Sequence, residues 1–346
     1  MTRHLRSAPQ AWSNYQDQGG LPALREALCD YLRLARSVRC TPEQIVIVGG
    51  AQQGLELVTR LLCDSGDTAW IEEPGYAGAQ ASLIGAELDV QPVAVDGHGL
   101  APRQAPAGSR PKLIYVTPSH QYPSGVTMTL ERRLELLALA EAHQAWIVED
   151  DYDSEFRYDA RPLAALQGLD TRGRVLYLGT FSKVMYPGLR LGYLVVPAAL
   201  VATFRAVNAR IYREGHYPVQ AALAEFIAHG HFARHVRRMR DGYRRRQAAL
   251  RRALAPVVAQ GLELSGGQAG MHLVAWLPPG TDEAALMKEG EAHGVVLRPL
   301  ARHYLGKPQR AGLVLGYAGA SEEEIARAGT WLCTRLQTLL AKSART

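Results

Sequence analysis

Of the five lysines in this chain of 346 residues, only Lys183 stands at the carboxyl end of a run that reads as a buried strand, inside GTFSKVMYPGLRLGY (179–193), between a Gly-Thr-Phe-Ser turn and a Pro-Gly turn. An amine desolvated in such a place gives up its proton more readily, which is what imine formation with a carbonyl compound requires. Arg190, on the same segment, carries a planar fork suited to a phosphate, although a surface loop with a structural arginine accounts for both residues equally simply. VEDDYDSEF (148–156) ends another apolar run with three consecutive carboxylates, Glu149, Asp150 and Asp151, which suit a metal cluster, an acid–base pair or a charged turn. VGGAQQG (48–54) joins a β-branched run to a helix through small residues, leaving amides at the helix start open to an anion. The same pattern is ordinary turn chemistry, and it holds neither G-x-G-x-x-G nor a Walker lysine, so a dinucleotide or nucleoside triphosphate site is not supported. In EEPGYAG (72–78), Tyr76 follows a Pro-Gly turn, where its ring can lie on a planar ligand or simply pack.

The elements that must position these residues are written in the pattern around them. Short runs IVIV (45–48), AWIEE (69–73), LIYV (113–116), AWIVE (145–149), VLYLG (175–179) and LGYLVV (191–196) alternate with amphipathic stretches such as LERRLELLALAEAH (130–143). That alternation predicts an α/β fold whose mainly parallel sheet is covered on both faces, and ligands on such sheets sit at the carboxyl ends of the strands. Ahead of the sheet, GGLPALREALCDYLRLA (19–35) predicts a helix with Pro22 near its first turn. After it, strands are expected at 271–276, 294–297 and 312–316, with helices near 282–292 and 321–341. The expected domains are an N-terminal arm with the first helix (1–40), a large ligand-binding domain (41–230) and a small C-terminal α+β domain (231–346), joined through a long helix over 231–255.

At 47% hydrophobic and 21% charged, the composition excludes disorder and collagen-like repeats. No run of about 18 apolar residues suggests a membrane span. Residues 1–10 lack the apolar centre of a signal peptide, so a soluble, cytoplasmic protein with no membrane partner is expected. Cys29, Cys40, Cys63 and Cys333 are scattered singly, which fits buried structural thiols rather than a disulfide framework or a metal site. The net charge of +6 raises nucleic acid or an acidic ligand as partners. It is concentrated in residues 230–256, which hold nine arginines against the single acid Asp241, and the remainder is slightly acidic. Phe232, Val236, Met239, Tyr243, Leu250 and Leu254 recur there at helical spacing, which favours a solvated amphipathic helix over a polyanion-binding surface.

A lysine for an imine, a carboxylate for a pyridinium nitrogen, an aromatic face, and amides, hydroxyls and an arginine for a phosphate together describe a site for pyridoxal 5′-phosphate (PLP). The resemblance behind this is specific. YQDQGGLPALREAL, IVGGAQQGLELV, EEPGYAGA, YVTPSHQYPSGVTM, VEDDYDSEFRYD, RPLAALQGLD and LGTFSKVMYPGLRLGYLVVP, in that order, resemble the fold-type-I, aspartate-aminotransferase-like domain of the MocR/GabR family of GntR-type regulators. HGHFARHVRRMRDGY and GLVLGYA extend the likeness to nearly the whole chain. The resemblance implies that Lys183 forms the imine with PLP, that Asp150 pairs with the pyridine nitrogen, and that Tyr152 hydrogen-bonds the phenolic oxygen. It implies stacking by Tyr76, and phosphate contacts from the amides of Ala51 and Gln52, from Thr180 and Ser182, and from Arg190. It further implies a homodimer in which Tyr15 reaches the neighbouring subunit's phosphate.

Three departures bear on function. Tyr122-Pro123-Ser124-Gly125 stands where many relatives of this fold have Asn-Pro-(Thr/Ser)-Gly, a change typical of MocR-like members. In GLVLGYA (312–318), Val314 occupies the place of the arginine that binds a substrate α-carboxylate, and no arginine lies between Pro74 and Ile84. Arg298, or Arg302 with His303 and Tyr304, are the candidates to replace it. The winged helix that precedes this domain in MocR/GabR regulators is not found in the chain, so DNA is expected as a partner only through such a module. Two functions follow: an effector domain that senses PLP or an amine, or a free-standing aminotransferase acting on an amine or amino acid.

Overall fold

Strands of two to eight residues, most of them apolar runs, form an eight-stranded sheet in the computed structural model, which describes residues 10–14, 18–158, 163–213 and 215–343. The strands are β1 (Ile45–Val48), β2 (Thr68–Glu73), β3 (Asp89–Asp96), β4 (Gly99–Leu100), β5 (Leu113–Val116), β6 (Trp146–Asp151), β7 (Val175–Thr180) and β8 (Gly192–Val195), in spatial order β1-β8-β7-β6-β5-β2-β3-β4. Neighbours from β3 through β7 pair in parallel, as the alternation predicts. β8 runs antiparallel between β7 and β1, because residues 181–191 are too few for a crossover back to the same end of the sheet. β1 therefore points the same way as the parallel set. The carboxyl ends of β1, β2, β5, β6 and β7 meet along one edge.

Both faces are covered. Ile45 and Ile47 of β1 belong to one apolar cluster and Val46 and Val48 to another, the two-residue period of a strand buried on both sides. One face receives helix α1 (Pro22–Arg36), through Leu24, Leu28 and Leu32. The other receives α2 (Ala51–Leu62) and α3 (Ala77–Gly85), through Leu55, Val58 and Leu83. Each such buried side chain contributes about 1.5–3 kcal/mol. Pro22 stands at the first position of α1, where its missing N–H costs nothing. α4 (Leu130–His143) packs Leu136 and Ala140 on the sheet's far half. α5 (Phe181–Val184) is the single turn that follows β7.

α6 (Val201–Ile211), α7 (Tyr217–Ala228) and the long α8 (His231–Val258) lead to a second sheet of β9 (Leu264–Ser265), β10 (His272–Trp276), β11 (Arg298–Pro299) and β12 (Gly312–Gly316), ordered β11-β12-β10-β9 and antiparallel throughout. α9 (Glu283–Ala292) and α10 (Glu322–Ser343) complete the described chain. α8 runs to Val258, past the expected end at 255: Pro256 removes one N–H from the last turn, but the ladder resumes after it, with the Ala259 amide on the Ala255 carbonyl at 3.0 Å. The strand expected at 294–297 pairs only at 298–299. Val295 donates its amide to Gly290 in closing α9, so the first part of that run finishes a helix.

The arginine-rich helix is more than a solvated face. Phe232, Val236, Tyr243, Leu250 and Leu254 are buried as expected. Five of its nine arginines, however, grip other parts of the chain. Arg240 donates to the Glu155 carbonyl at 2.9 Å, Arg244 to that of Tyr158 at 3.2 Å, Arg251 to that of Gly266 at 2.7 Å and Arg246 to that of Ala318, while Arg245 pairs with Glu322 at 3.0 Å. Among the described residues no helix is long and apolar enough to cross a membrane. Cys29 and Cys40, distant in sequence pattern, meet at 3.9 Å between their sulfurs as free thiols.

Candidate cofactor site

Ala51, Gln52, Tyr76, Asp150, Tyr152, Thr180, Ser182, Lys183 and Arg190 all line one cavity of about 320 Å³ at the carboxyl edge of the large sheet. Tyr15 lies outside the described residues. The residues converge because each follows, or ends, a strand that stops at this edge: Ala51 after β1, Tyr76 after β2, Asp150 and Tyr152 at β6, Thr180 to Lys183 at β7. Lys183 is the third residue of α5 and is exposed in the cavity. The desolvation expected from its place in the sequence is not found, since the turn after β7 carries the amine clear of the buried strand.

The three consecutive carboxylates are sorted by strand alternation. Glu149 accepts the Leu166 and Gln167 amides at 2.8 Å each, and Asp151 accepts from Arg36 Nε at 2.7 Å and from the Tyr177 hydroxyl. Asp150 points the other way, towards the cavity. One of its oxygens accepts from the Tyr115 hydroxyl at 2.5 Å, and the second, Oδ1, is buried with no hydrogen-bond partner. Burial pushes the Asp150 carboxyl up to about 7, although the Tyr115 hydrogen bond opposes this. Glu72 Oε1, Asp151 Oδ1 and Glu155 Oε2 are also buried without a partner, but of these four carboxylates only Asp150 lines the cavity, where a ligand can supply a donor.

Tyr152 is held by a second cluster. Its hydroxyl lies 2.9 Å from His120 Nδ1, which is also 3.0 Å from Asp153 Oδ2. Asp153 can only accept from that nitrogen when ionised, so Nδ1 carries the hydrogen and Tyr152 OH keeps its own proton for another acceptor. Burial, and then Asp153, hold the Tyr152 phenol well above its usual range. Gly270 explains the tight seat of His120: a Cβ there would meet His120 Cε1 at 2.0 Å.

At the opposite end, Gly50 caps α2 with φ of +116°, a conformation that favours glycine, and the Arg190 guanidinium lies 4.0 Å from where a Gly50 Cβ would be. The first amides of α2, the arginine and the Thr180 and Ser182 hydroxyls thus share one end of the cavity. Tyr76 accepts from Gln52 Nε2 at 3.1 Å. Tyr122, in the place of the usual asparagine, meets the rings of Tyr76, Tyr152, His272 and His303 edge-on at 5.0–6.1 Å. Burial first, and His120 next, push His272 down to about 3, so that ring is neutral.

Several participants were missed in sequence. Tyr115 and Thr117 line the cavity from the end of β5, and their signal was that LIYV ends at the same edge as VEDD. Glu72, on β2, is buried and accepts from Thr117 Oγ1 at 2.6 Å and from Gln121 Nε2 at 3.2 Å; burial pushes its carboxyl up to about 7. Of the carboxylate-binding candidates, Arg298 lines the cavity, while Arg302, His303 and Tyr304 do not. His303 Nδ1 faces the Gly75 carbonyl at 3.2 Å, and Val314 is buried with Val274 and Leu300.

The donor set fits PLP: an orphan carboxylate oxygen for a protonated ring nitrogen, a helix start with an arginine and two hydroxyls for a phosphate, and an accessible amine between them. The family model for aminotransferase class I and II matches residues 1–330. The probable rhizopine catabolism regulatory protein MocR of Rhizobium meliloti is 44% identical over 324 residues, 92% of this chain. The chain spans 64% of that relative's length. Among solved structures, the multiple substrate aminotransferase of Thermococcus profundus superposes with a TM-score of 0.88 at 26% identity, covering 99% of this chain and 87% of that one. The kynurenine aminotransferase of Pyrococcus horikoshii, in complex with PMP, gives 0.87 at 26% identity, covering 97% and 85%.

Proposed function

Because the chain belongs to the aminotransferase class I and II family, with the fold-type-I architecture of its PLP-dependent members, we propose that it is the effector domain of a MocR-type transcriptional regulator, holding PLP on Lys183 and sensing PLP or an amine. The observation that carries this is Asp150: a buried carboxylate with an unpartnered oxygen, in the same cavity as an accessible lysine.

When bound, PLP supplies an electron sink for charge that develops on the carbon next to an amine. The chain's own residues set that sink. Asp150 Oδ1 would hold a proton on the ring nitrogen, and Tyr152, positioned by His120 and Asp153, would donate a hydrogen bond to the phenolic oxygen. The amides of Ala51 and Gln52, with Thr180, Ser182 and Arg190, would take the phosphate, and the Tyr76 ring would stack on the cofactor. Lys183 would hold the cofactor's carbonyl carbon through Nζ, with loss of water, and its amine, when free, would carry a proton.

Support for a regulator comes from the relative's name, and from Val314, where an aminotransferase that binds an α-carboxylate has arginine. In this reading the small domain (231–346) shifts against the large one (41–230) when an amine replaces Lys183. Two chains form a dimer, with Tyr15 completing the neighbour's phosphate site, and DNA recognition belongs to a winged helix outside the aminotransferase-like region. A second reading, amine transfer by this chain itself, is favoured by the complete proton-handling set of Lys183, Asp150 and Tyr152. Loading the chain with PLP and adding amines, with and without a 2-oxoacid, separates the two. The effector reading predicts a saturable absorbance change and no repeated turnover. Sustained release of a new amino acid contradicts it in favour of the enzyme.

A further inference from the structure

Lys183 stands on a turn that a distant part of the chain finishes. α5 holds four residues, and the carbonyls at the end of so short a turn find no amide within it. The Phe181 carbonyl accepts the Met185 amide at 2.8 Å. The Val184 carbonyl, one residue past Lys183, lies 2.8 Å from Nε2 of His235 on α8. A carbonyl only accepts, so Nε2 carries the hydrogen and the imidazole caps the lysine turn.

Aromatic packing joins the same two elements. Phe181 and Val184 are buried and three residues apart, hence on one side of the turn, while Lys183 between them lines the cavity on the other. The Phe181 ring meets Phe232 edge-on at 6.0 Å, and Phe232 meets Tyr31 of α1 edge-on at 5.1 Å. Phe232 and His235 are themselves three apart on α8, so one face of its first turns holds α5 by a ring and by a hydrogen bond. His235 does not line the cavity, and none of the contacts assigned above to PLP involves α8.

We propose that His235 is a positioning residue for Lys183: by capping α5 from α8 it holds the amine where it reaches PLP, and it makes the start of α8 the part of the fold that registers whether Lys183 is bonded. This rests on PLP being held at Lys183. Capture joins Lys183 Nζ to the PLP carbonyl carbon and releases water, so it needs the side chain in one place. A turn left free at its end loses that freedom on capture, and affinity falls with it. Pyridoxamine 5′-phosphate offers the same ring and phosphate with an amine in place of the carbonyl, so it fills the cavity without forming that bond.

The test titrates the full chain with PLP and with pyridoxamine 5′-phosphate, and follows amide exchange over residues 232–240 by mass spectrometry in each state. His235→Phe keeps a ring but no donor, whereas His235→Gln sets an amide nitrogen near the place of Nε2. PLP affinity is expected to fall by about fivefold in His235→Phe, the net weight of one hydrogen bond, and to return to the wild-type level in His235→Gln. Affinity for pyridoxamine 5′-phosphate is expected to be the same in all three. In wild type, PLP should slow exchange at the start of α8 more than pyridoxamine 5′-phosphate does, and in His235→Phe the two should act alike. If His235→Phe does not fold, His235→Asn, whose amide stops one bond short, takes its place. Equal losses for both ligands, which a merely structural role produces, overturn the proposal. So do unaltered PLP affinity in His235→Phe, no recovery in His235→Gln, or equal exchange with the two ligands in wild type. Failure of wild type to capture PLP overturns the underlying reading and this one with it.

Discussion

At Asp150 the two-residue period of β6 separates a cavity carboxylate from the two beside it, which are spent on Arg36 and on backbone amides. The run VEDD was legible as chemistry, yet metal ligand, acid–base pair and charged turn stayed open in sequence. What decides between them is which face of β6 each carboxylate takes and what stands opposite, and those partners come from distant segments. Asp150→Asn keeps the volume and the Tyr115 contact but cannot hold a ring-nitrogen proton as an anion. PLP capture should persist, while the rate at which added amines change the absorbance of the loaded chain falls by about a hundredfold or more, the scale of one lost preorganised electrostatic partner. Glu72 offers a test on stability. Its carboxyl stands at about 7 in the fold, against the ordinary value of 4.5 unfolded, so its contribution is complete below pH 4.5 and is lost as pH rises to about 7. Gln at this position has no such dependence. Relative to wild type, Glu72→Gln should therefore gain on the order of 3 kcal/mol between pH 4 and pH 8 in denaturant unfolding; a constant difference across that range would contradict the raised value.

The elements were legible where strands are fully buried and less so at edges. β1, β2 and β5 to β8 read directly as apolar runs, whereas β3 escaped because Pro92 interrupts it. Its structure removes the conflict: β3 is flanked by β2 on one side and, on the other, only by the two-residue β4 at its far end, so a missing N–H is tolerated there. The antiparallel turn of β8 was invisible in composition and follows from the short connection after β7. That turn also shapes the phosphate end. A Cβ on Gly192 would stand 2.9 Å from the Gly179 carbonyl oxygen and 3.0 Å from Gly50 Cα, both backbone. Gly192→Ala should thus push β8 from β7 and the start of α2, lowering stability by about 1–3 kcal/mol and weakening PLP binding together. Equal PLP affinity in a destabilised variant would show that the α2 start does not grip the phosphate.

Across the whole molecule, charge and cofactor chemistry are separated. The net charge of +6 traces to α8, and five of its arginines hold carbonyls or Glu322, which accounts for much of an excess that otherwise suggests a polyanion partner. The one apolar cluster that includes Tyr177, Phe232 and Leu313 runs through the large sheet, α8 and the second sheet, so a change in the cavity has a packed route to the second sheet. Sequence named Arg298 only as one of several candidates for an anion clamp; that it lines the cavity while Arg302, His303 and Tyr304 do not needed the placement of β11 beside β12. The central claim is that Lys183 holds PLP in a site organised by Asp150. Borohydride reduction of the PLP-treated chain, followed by peptide mass mapping, tests it most directly. The account predicts one phosphopyridoxyl group per 37.8 kDa chain, located on Lys183 and lost in Lys183→Ala. Label spread over the other four lysines, or retained in Lys183→Ala, would contradict it.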